Sequence, residues 1–200
     1  RLCSVLEVVY LVFNEGYSAT AGDHWTRPAL CEDPLRLGRI LAELAPGEPE
    51  VHGLVSLMEI QASRLAARTT TSGEPILLFD QDRRRWDPLL IRRGLAALAR
   101  GEALAQAPGP YLLQAAIAAC HARAAGAAET DWARIAELYA ALGELAPSPI
   151  VALNRAVAVS WAEGPGAALG IVDGLTSDKA LQRYHLLWSV RADLLVRGRC

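Results

Sequence analysis

An excess of basic charge is the first thing this chain does not have. Twenty Lys and Arg face twenty-two Asp and Glu, giving a net charge of −2. That balance supplies no electrostatic footprint for nucleic acid. Lysine is almost missing: Lys179 stands alone, and every other basic residue is arginine. No apolar run reaches the ~20 residues that a membrane span needs, so the chain reads as soluble. The opening stretch RLCSVLEVVYLVF is apolar, but Glu7 interrupts it and no small-residue cleavage site follows. It does not read as a signal peptide. The four cysteines, Cys3, Cys31, Cys120 and Cys200, form no C-x-x-C pair. That speaks against zinc and for free thiols in a reducing cytoplasm. No G-x-S-x-G nucleophile signature occurs, and the glycines are not gathered into a phosphate loop. The chain starts with Arg1 rather than Met and is expected to be part of something longer.

What is present is globular. Of the 200 residues 52% are hydrophobic and 21% charged, enough for one large domain or two small ones with a sizeable core. The most apolar stretch is 108–125, PGPYLLQAAIAACHARAA. Pro108, Gly109 and Pro110 stop what precedes it, and Pro110 suits a first helical position. A helix apolar nearly all round is a buried one, so 108–125 is expected to be the central and most buried helix.

The other segments read as its wrapping. Residues 2–13 place Leu2, Val5, Val9 and Val12 at helical spacing, and Asn14-Glu15-Gly16-Tyr17 ends them with Gly16 as a left-handed cap. A polar loop with His24 and Trp25 follows. Residues 28–44 carry Leu30, Leu37, Ile40, Leu41 and Leu44 on one face, with Pro34 kinking the helix or marking a start at Asp33. Residues 49–67 form a strong helix with Val51, Leu54, Val55, Met58, Ala62 and Leu65 inward. Residues 76–79 are a short apolar run that suits at most a trivial strand. Asp87 caps a helix to about Leu104. Thr130 caps a helix facing inward with Trp132, Ile135, Tyr139 and Leu142. Ser148 and Pro149 open the next. A short helix with Ala168, Ile171, Val172 and Leu175 follows a Gly164-Pro165-Gly166 turn. Ser177 caps a last one with Leu181, Tyr184, His185, Trp188, Ala192 and Leu195 inward. The fold class is therefore all-α. Short paired helices from 130 onward look like tetratricopeptide-like repeats.

Few residues invite chemistry. Asp80, Asp82 and Asp87 bracket Arg83-Arg84-Arg85 and lack the glycine and distal Glu of a calcium loop, so ion pairs and a helix cap account for them. The four histidines have no metal-ligand spacing, and His121 and His185 read as hydrogen-bonded core residues. No catalytic, cofactor-binding or metal-binding residue is expected, and the chain is not expected to be an enzyme.

Six stretches carry a family resemblance: VVYLVFNEGYSA at 8–19, LRLGRILAEL at 35–44, FDQDRRRWD at 79–87, GPYLLQAAIAACHA at 109–122, TDWARIAELYAAL at 130–142 and SPIVALNRAVAV at 148–159. Together they resemble the C-terminal, tetratricopeptide-like extension of a group of extracytoplasmic-function sigma factors, bacterial initiation factors of the sigma-70 class. Pro34 departs from that pattern. The resemblance implies a helical part at 1–107 and repeats at 108–200, in one continuous domain, with the promoter-binding sigma domains upstream. It implies a cytoplasmic regulator acting in cis on those sigma domains. RNA polymerase core and promoter DNA would be reached through them, and this chain itself would touch neither nucleic acid nor membrane. Asn14, Glu15, Tyr17, Asp80, Gln81, Asp82, Arg83 and Trp86 are the interaction candidates, because helix ends and loops are where binding residues concentrate. In the 79–87 stretch Trp86 is expected to anchor the loop, Asp80 and Asp82 to pair with arginines, and Gln81 to face outward. A free-standing protein-interaction scaffold and a small-molecule-sensing domain are the alternatives. A deep pocket lined by Asp82, His121 and Gln114 would favour the sensor.

Overall fold

The computed structural model of the chain describes residues 1–18, 27–182 and 184–198. His24, Trp25 and Cys200 lie outside the described residues. Among the described residues there are nine α-helices and no strand, so the chain is an all-α helical protein. The trivial strand expected at 76–79 is replaced by a 3-10 turn over Leu78–Asp80, and one isolated bridge joins Thr69 to Pro75. The chain divides into two compact units, Arg1–Glu129 and Thr130–Cys200. The helix that follows 107 packs within the first unit.

The first unit holds α1 (Leu2–Tyr17), α2 (Ala29–Leu44), α3 (Pro49–Ala62), α4 (Pro88–Leu104) and α5 (Pro110–Arg123). Its centre is α3, which packs against all four others. That corrects the expectation for 108–125. In α5 Ala116, Ala118 and Cys120 are only half-buried, whereas eleven of the fourteen residues of α3 are buried. The reason is physical. Alanine offers little surface to bury, while α3 sinks Leu54, Leu57, Met58 and Ile60 together with polar His52, Ser56 and Glu59. His52 meets the Pro46 carbonyl at 2.9 Å, and one Glu59 oxygen accepts from Arg39 at 2.7 Å. Buried polar groups with partners are tolerated, so helical periodicity under-reads such a helix. Helix α5 starts where Pro110 was expected to start it. Its free amides are met from outside: Glu50 of α3 accepts from the Tyr111 and Leu112 amides at 2.8 and 3.2 Å. The two helices come close because position 53 is glycine, where a Cβ would lie 2.7 Å from the Leu112 nitrogen.

Helix α1 runs on through Tyr17, so Asn14-Glu15-Gly16-Tyr17 is helix and not a turn. Gly16 has no positive φ and is no left-handed cap. It is small because the chain returns against it: a Cβ there would meet Cys31 Sγ at 2.8 Å. The buried face of α1 is Leu6, Val9, Phe13 and Tyr17, leaving Val5 and Val12 exposed. In α2 only Leu41 of the expected inward stripe packs against the core, half-buried, and the rest faces outward. Cys31, Pro34 and Gly38 are buried, while Leu30, Leu37, Ile40 and Leu44 are exposed. The helix passes through Pro34 from Ala29, so the proline neither starts it nor ends it.

The second unit holds α6 (Trp132–Leu145), α7 (Pro149–Ala162), α8 (Pro165–Leu175) and α9 (His185–Arg197); α7 packs on α6, α8 on α7 and α9 on α8. Ser148 caps α7 as expected. Asp131, not Thr130, caps α6, since its carboxylate accepts from the Arg134 amide. The last helix begins at His185 rather than after Ser177, and this changes its inward face. Leu187 and Leu194 are buried, while His185, Trp188, Ala192 and Leu195 are exposed.

Candidate functional site

The 79–87 loop is built from its ends. Asp87 accepts from the Leu89 and Leu90 amides at 2.8 and 3.1 Å, starting α4, and its own amide donates to the Ser63 carbonyl. Asp82 accepts from the Arg84 amide and opens a 3-10 turn over Arg83–Arg85. Arg84 also donates to both Asp82 oxygens at 2.9 Å, and these bonds hold the Asp82 carboxyl below its usual range. This pair is largely in water, so its contribution to stability is small. Asp80 is exposed and makes no ion pair among the described residues, which corrects the pairing expected for it.

Trp86 anchors the loop, at 5% exposure. Its ring carries two guanidinium groups, Arg64 at 5.3 Å and Arg83 at 4.8 Å from its centre. Arg83 further donates to the His121 carbonyl and, at 2.7 Å, to the Ala124 carbonyl. It thereby satisfies open carbonyls at the end of α5, where a cation is favoured. Gln81 is 7% exposed. It donates to the Ile76 carbonyl and accepts from Arg64 Nε at 3.2 Å, so it faces inward, against expectation.

Of the α1 candidates Tyr17 reaches the same place. Tyr17 is buried, stacks on Phe13 at 5.7 Å, and has the Arg68 guanidinium 3.7 Å above its ring. Glu15 pairs with Arg27 at 3.7 Å. Tyr17, Gln81, Arg83 and Trp86 therefore gather around Arg64 and Arg68, two residues that no sequence motif had singled out. The signal was there in SRLAAR, a run with two arginines four apart amid small apolar residues.

Charge dominates this place. Burial pushes Arg64 below its ordinary pKa, and the nearby Arg68 and Arg83 add to the effect. His121 is pushed down to about 4, first by burial and then by Arg64 and Arg83, so it is neutral at pH 7. Burial pushes the Cys31 thiol up to about 11 despite Arg68, which leaves it protonated and unreactive. Arg68 Nε and Trp86 Nε1 are buried without an acceptor. Among the described residues no three His, Cys, Asp or Glu side chains are grouped as metal ligands. The arrangement can hold an anion or stiffen a loop.

A separate groove of about 480 Å³ lies among α2, α3 and α4, lined by Arg39, Glu43, His52, Val55 and Arg100 with small alanines between. Neither Asp82, His121 nor Gln114 lines it.

An uncharacterized protein of Rhizobium meliloti (strain 1021) is 48% identical to the chain over 195 residues, which cover 98% of this chain and 45% of that protein. The chain thus spans less than half the length of this relative. No solved structure matches it. Residues 1–102 of the 200, which include both the α1 and the 79–87 candidates, match a family of unknown function, DUF6596, and the chain belongs to that family.

Proposed function

We propose that the chain is the regulatory helical extension of a bacterial extracytoplasmic-function sigma factor, modulating transcription initiation in cis. The observation that carries this reading is the outward apolar face of the first unit. Val5, Val8, Leu11 and Val12 of α1 and Leu30, Leu37, Ile40 and Leu44 of α2 are all exposed, up to 76% at Leu44. Large apolar side chains exposed along successive turns of a helix are the kind of surface where proteins meet. The six ordered motifs supply the identity of the partner, the sigma domains of the same protein. Polymerase core and promoter DNA are reached through those domains, and the site of action is the cytoplasm.

Beside the apolar face, the 79–87 loop offers Asp80, Asp82, Arg84 and Arg85 to solvent from a base fixed by Trp86. Replacing Asp80 and Asp82 with Ala in the longer protein is expected to alter its transcription while moving the melting temperature of this chain by only a few degrees. Normal transcription by a normally folded double variant would remove the loop from the contact. The groove on α2, α3 and α4 favours the second reading, a small-molecule sensor, and a ligand that bound there and changed transcription would join the two.

A further inference from the structure

We propose that Arg64 and Arg68, with the Trp86 indole N–H and the positive charge of Arg83, form a binding site for a compact oxyanion, a carboxylate or a phosphate. The inference stands apart from the sigma-factor reading and does not need it.

The first ground is unbalanced charge. Arg64, Arg68 and Arg83 lie in one partly buried neighbourhood, and none makes an ion pair with any carboxylate of the described residues. Glu129 attracts Arg83 without reaching it as a salt bridge. Cations removed from water need a counter-charge or full hydrogen bonding. Here they have neither.

The second ground is the open donors. Stacking on Trp86 and Tyr17 occupies the faces of the guanidinium groups, but their N–H groups point outward in the plane. Arg83 turns its Nη1 to the two carbonyls at the end of α5, so it is counted here for its charge. Arg64 uses Nε on Gln81 and has its two terminal nitrogens left. Arg68 Nε and Trp86 Nε1 are buried with no acceptor. A buried donor left unsatisfied costs free energy, and an oxyanion offers several acceptors to a planar fork. Both Arg64 and Arg68 keep some exposure, so an ion reaches them from solvent.

The third ground is the lack of competitors. His121 stays neutral beside the cations, so its ring adds no charge of its own. Cys31 stays a thiol and supplies no counter-ion.

The test compares the purified chain in chloride, inorganic phosphate and acetate at equal ionic strength and pH 7. Melting temperature and the ring resonances of His121 are read. Phosphate or acetate at about 20 mM is expected to raise the melting temperature above the chloride value, as any ligand of the folded state does. The bound anion offsets Arg64 and Arg83, so the His121 titration midpoint is expected to rise. A tenfold preference, about the scale of one charge-assisted contact, names the ligand as phosphate or carboxylate by whichever anion is favoured. Arg68→Met is expected to fold at least as well as wild type in chloride, since it relieves like-charge repulsion, and to lose the anion response. Arg68→Lys keeps the charge but not the fork, and is expected to weaken the response at constant fold. No response of the wild type beyond chloride overturns the proposal. A response equal in wild type and Arg68→Met overturns it too, as an adventitious ion only.

Discussion

Trp86 is the side chain on which the 79–87 loop depends. It is the bulky apolar member of a charged run, and Arg64, which bonds Gln81 of the loop, and Arg83, which reaches α5, both stand on its ring. Trp86→Ala is expected to cost about 3 kcal/mol of unfolding free energy, measured by urea titration, because a buried aromatic leaves a cavity. A loss within experimental error would mean the loop is held by its caps alone. Its role as anchor was legible in composition. The inward turn of Gln81 and the reach of Arg83 to α5 were not, since the first depends on Arg64, 17 positions away, and the second on carbonyls 38 and 41 positions away. His121 gives the same neighbourhood a pH signature. The folded chain keeps it neutral down to about pH 4, whereas an ordinary histidine takes its proton near 6.5. Between those values the unfolded state binds more protons, so stability is full above pH 6.5 and falls as pH drops towards 4. His121→Gln is expected to flatten that part of the stability profile, read by denaturant titration at several pH values. Identical profiles for variant and wild type would contradict the burial assigned to His121.

Among the elements, α3 organises the first unit. Its centrality was hidden because periodicity counts apolar residues, and α3 turns His52, Ser56 and Glu59 inward as well. Helix starts were the readable part: Asp87, Ser148 and Pro110 all open helices where their chemistry places them. Inward faces were less so. In α2 the fully buried residues are Cys31, Pro34 and Gly38, small or compact side chains that permit close approach; Leu35 and Leu41 pack half-buried beside them, while Leu30, Leu37, Ile40 and Leu44 are left outside. That departure from the ordinary rule is what the proposed docking role rests on, since exposed apolar side chains along a helix call for an external reason. The junction of α3 and α5 yields a prediction. Glu50 meets two open amides of α5 from a neighbouring helix, as an N-cap side chain would. Glu50→Ala is expected to lower stability by about 1 kcal/mol and Glu50→Gln by less. Equal melting temperatures for Glu50→Ala and wild type would show water replacing the carboxylate at no cost.

For the whole molecule, the two units keep separate accounts. The first contains the DUF6596 match, the arginine cluster, the groove and the outward apolar face. The second is a succession of helices each packed on its predecessor, an arrangement suited to presenting a surface. The change at 130 was legible as the start of short paired helices, but the membership of α5 in the first unit was not, because the alanine- and glycine-rich run 124–128 looks like one more link between repeats. The central claim is that this chain modulates a sigma factor to which it is joined. The most direct measurement is transcription in vitro by purified polymerase core with the longer protein, intact and with this chain removed, on the same promoter. The account predicts promoter-specific initiation that changes markedly when the chain is removed. Equal initiation by the two forms, or none by either with any core polymerase, would contradict it.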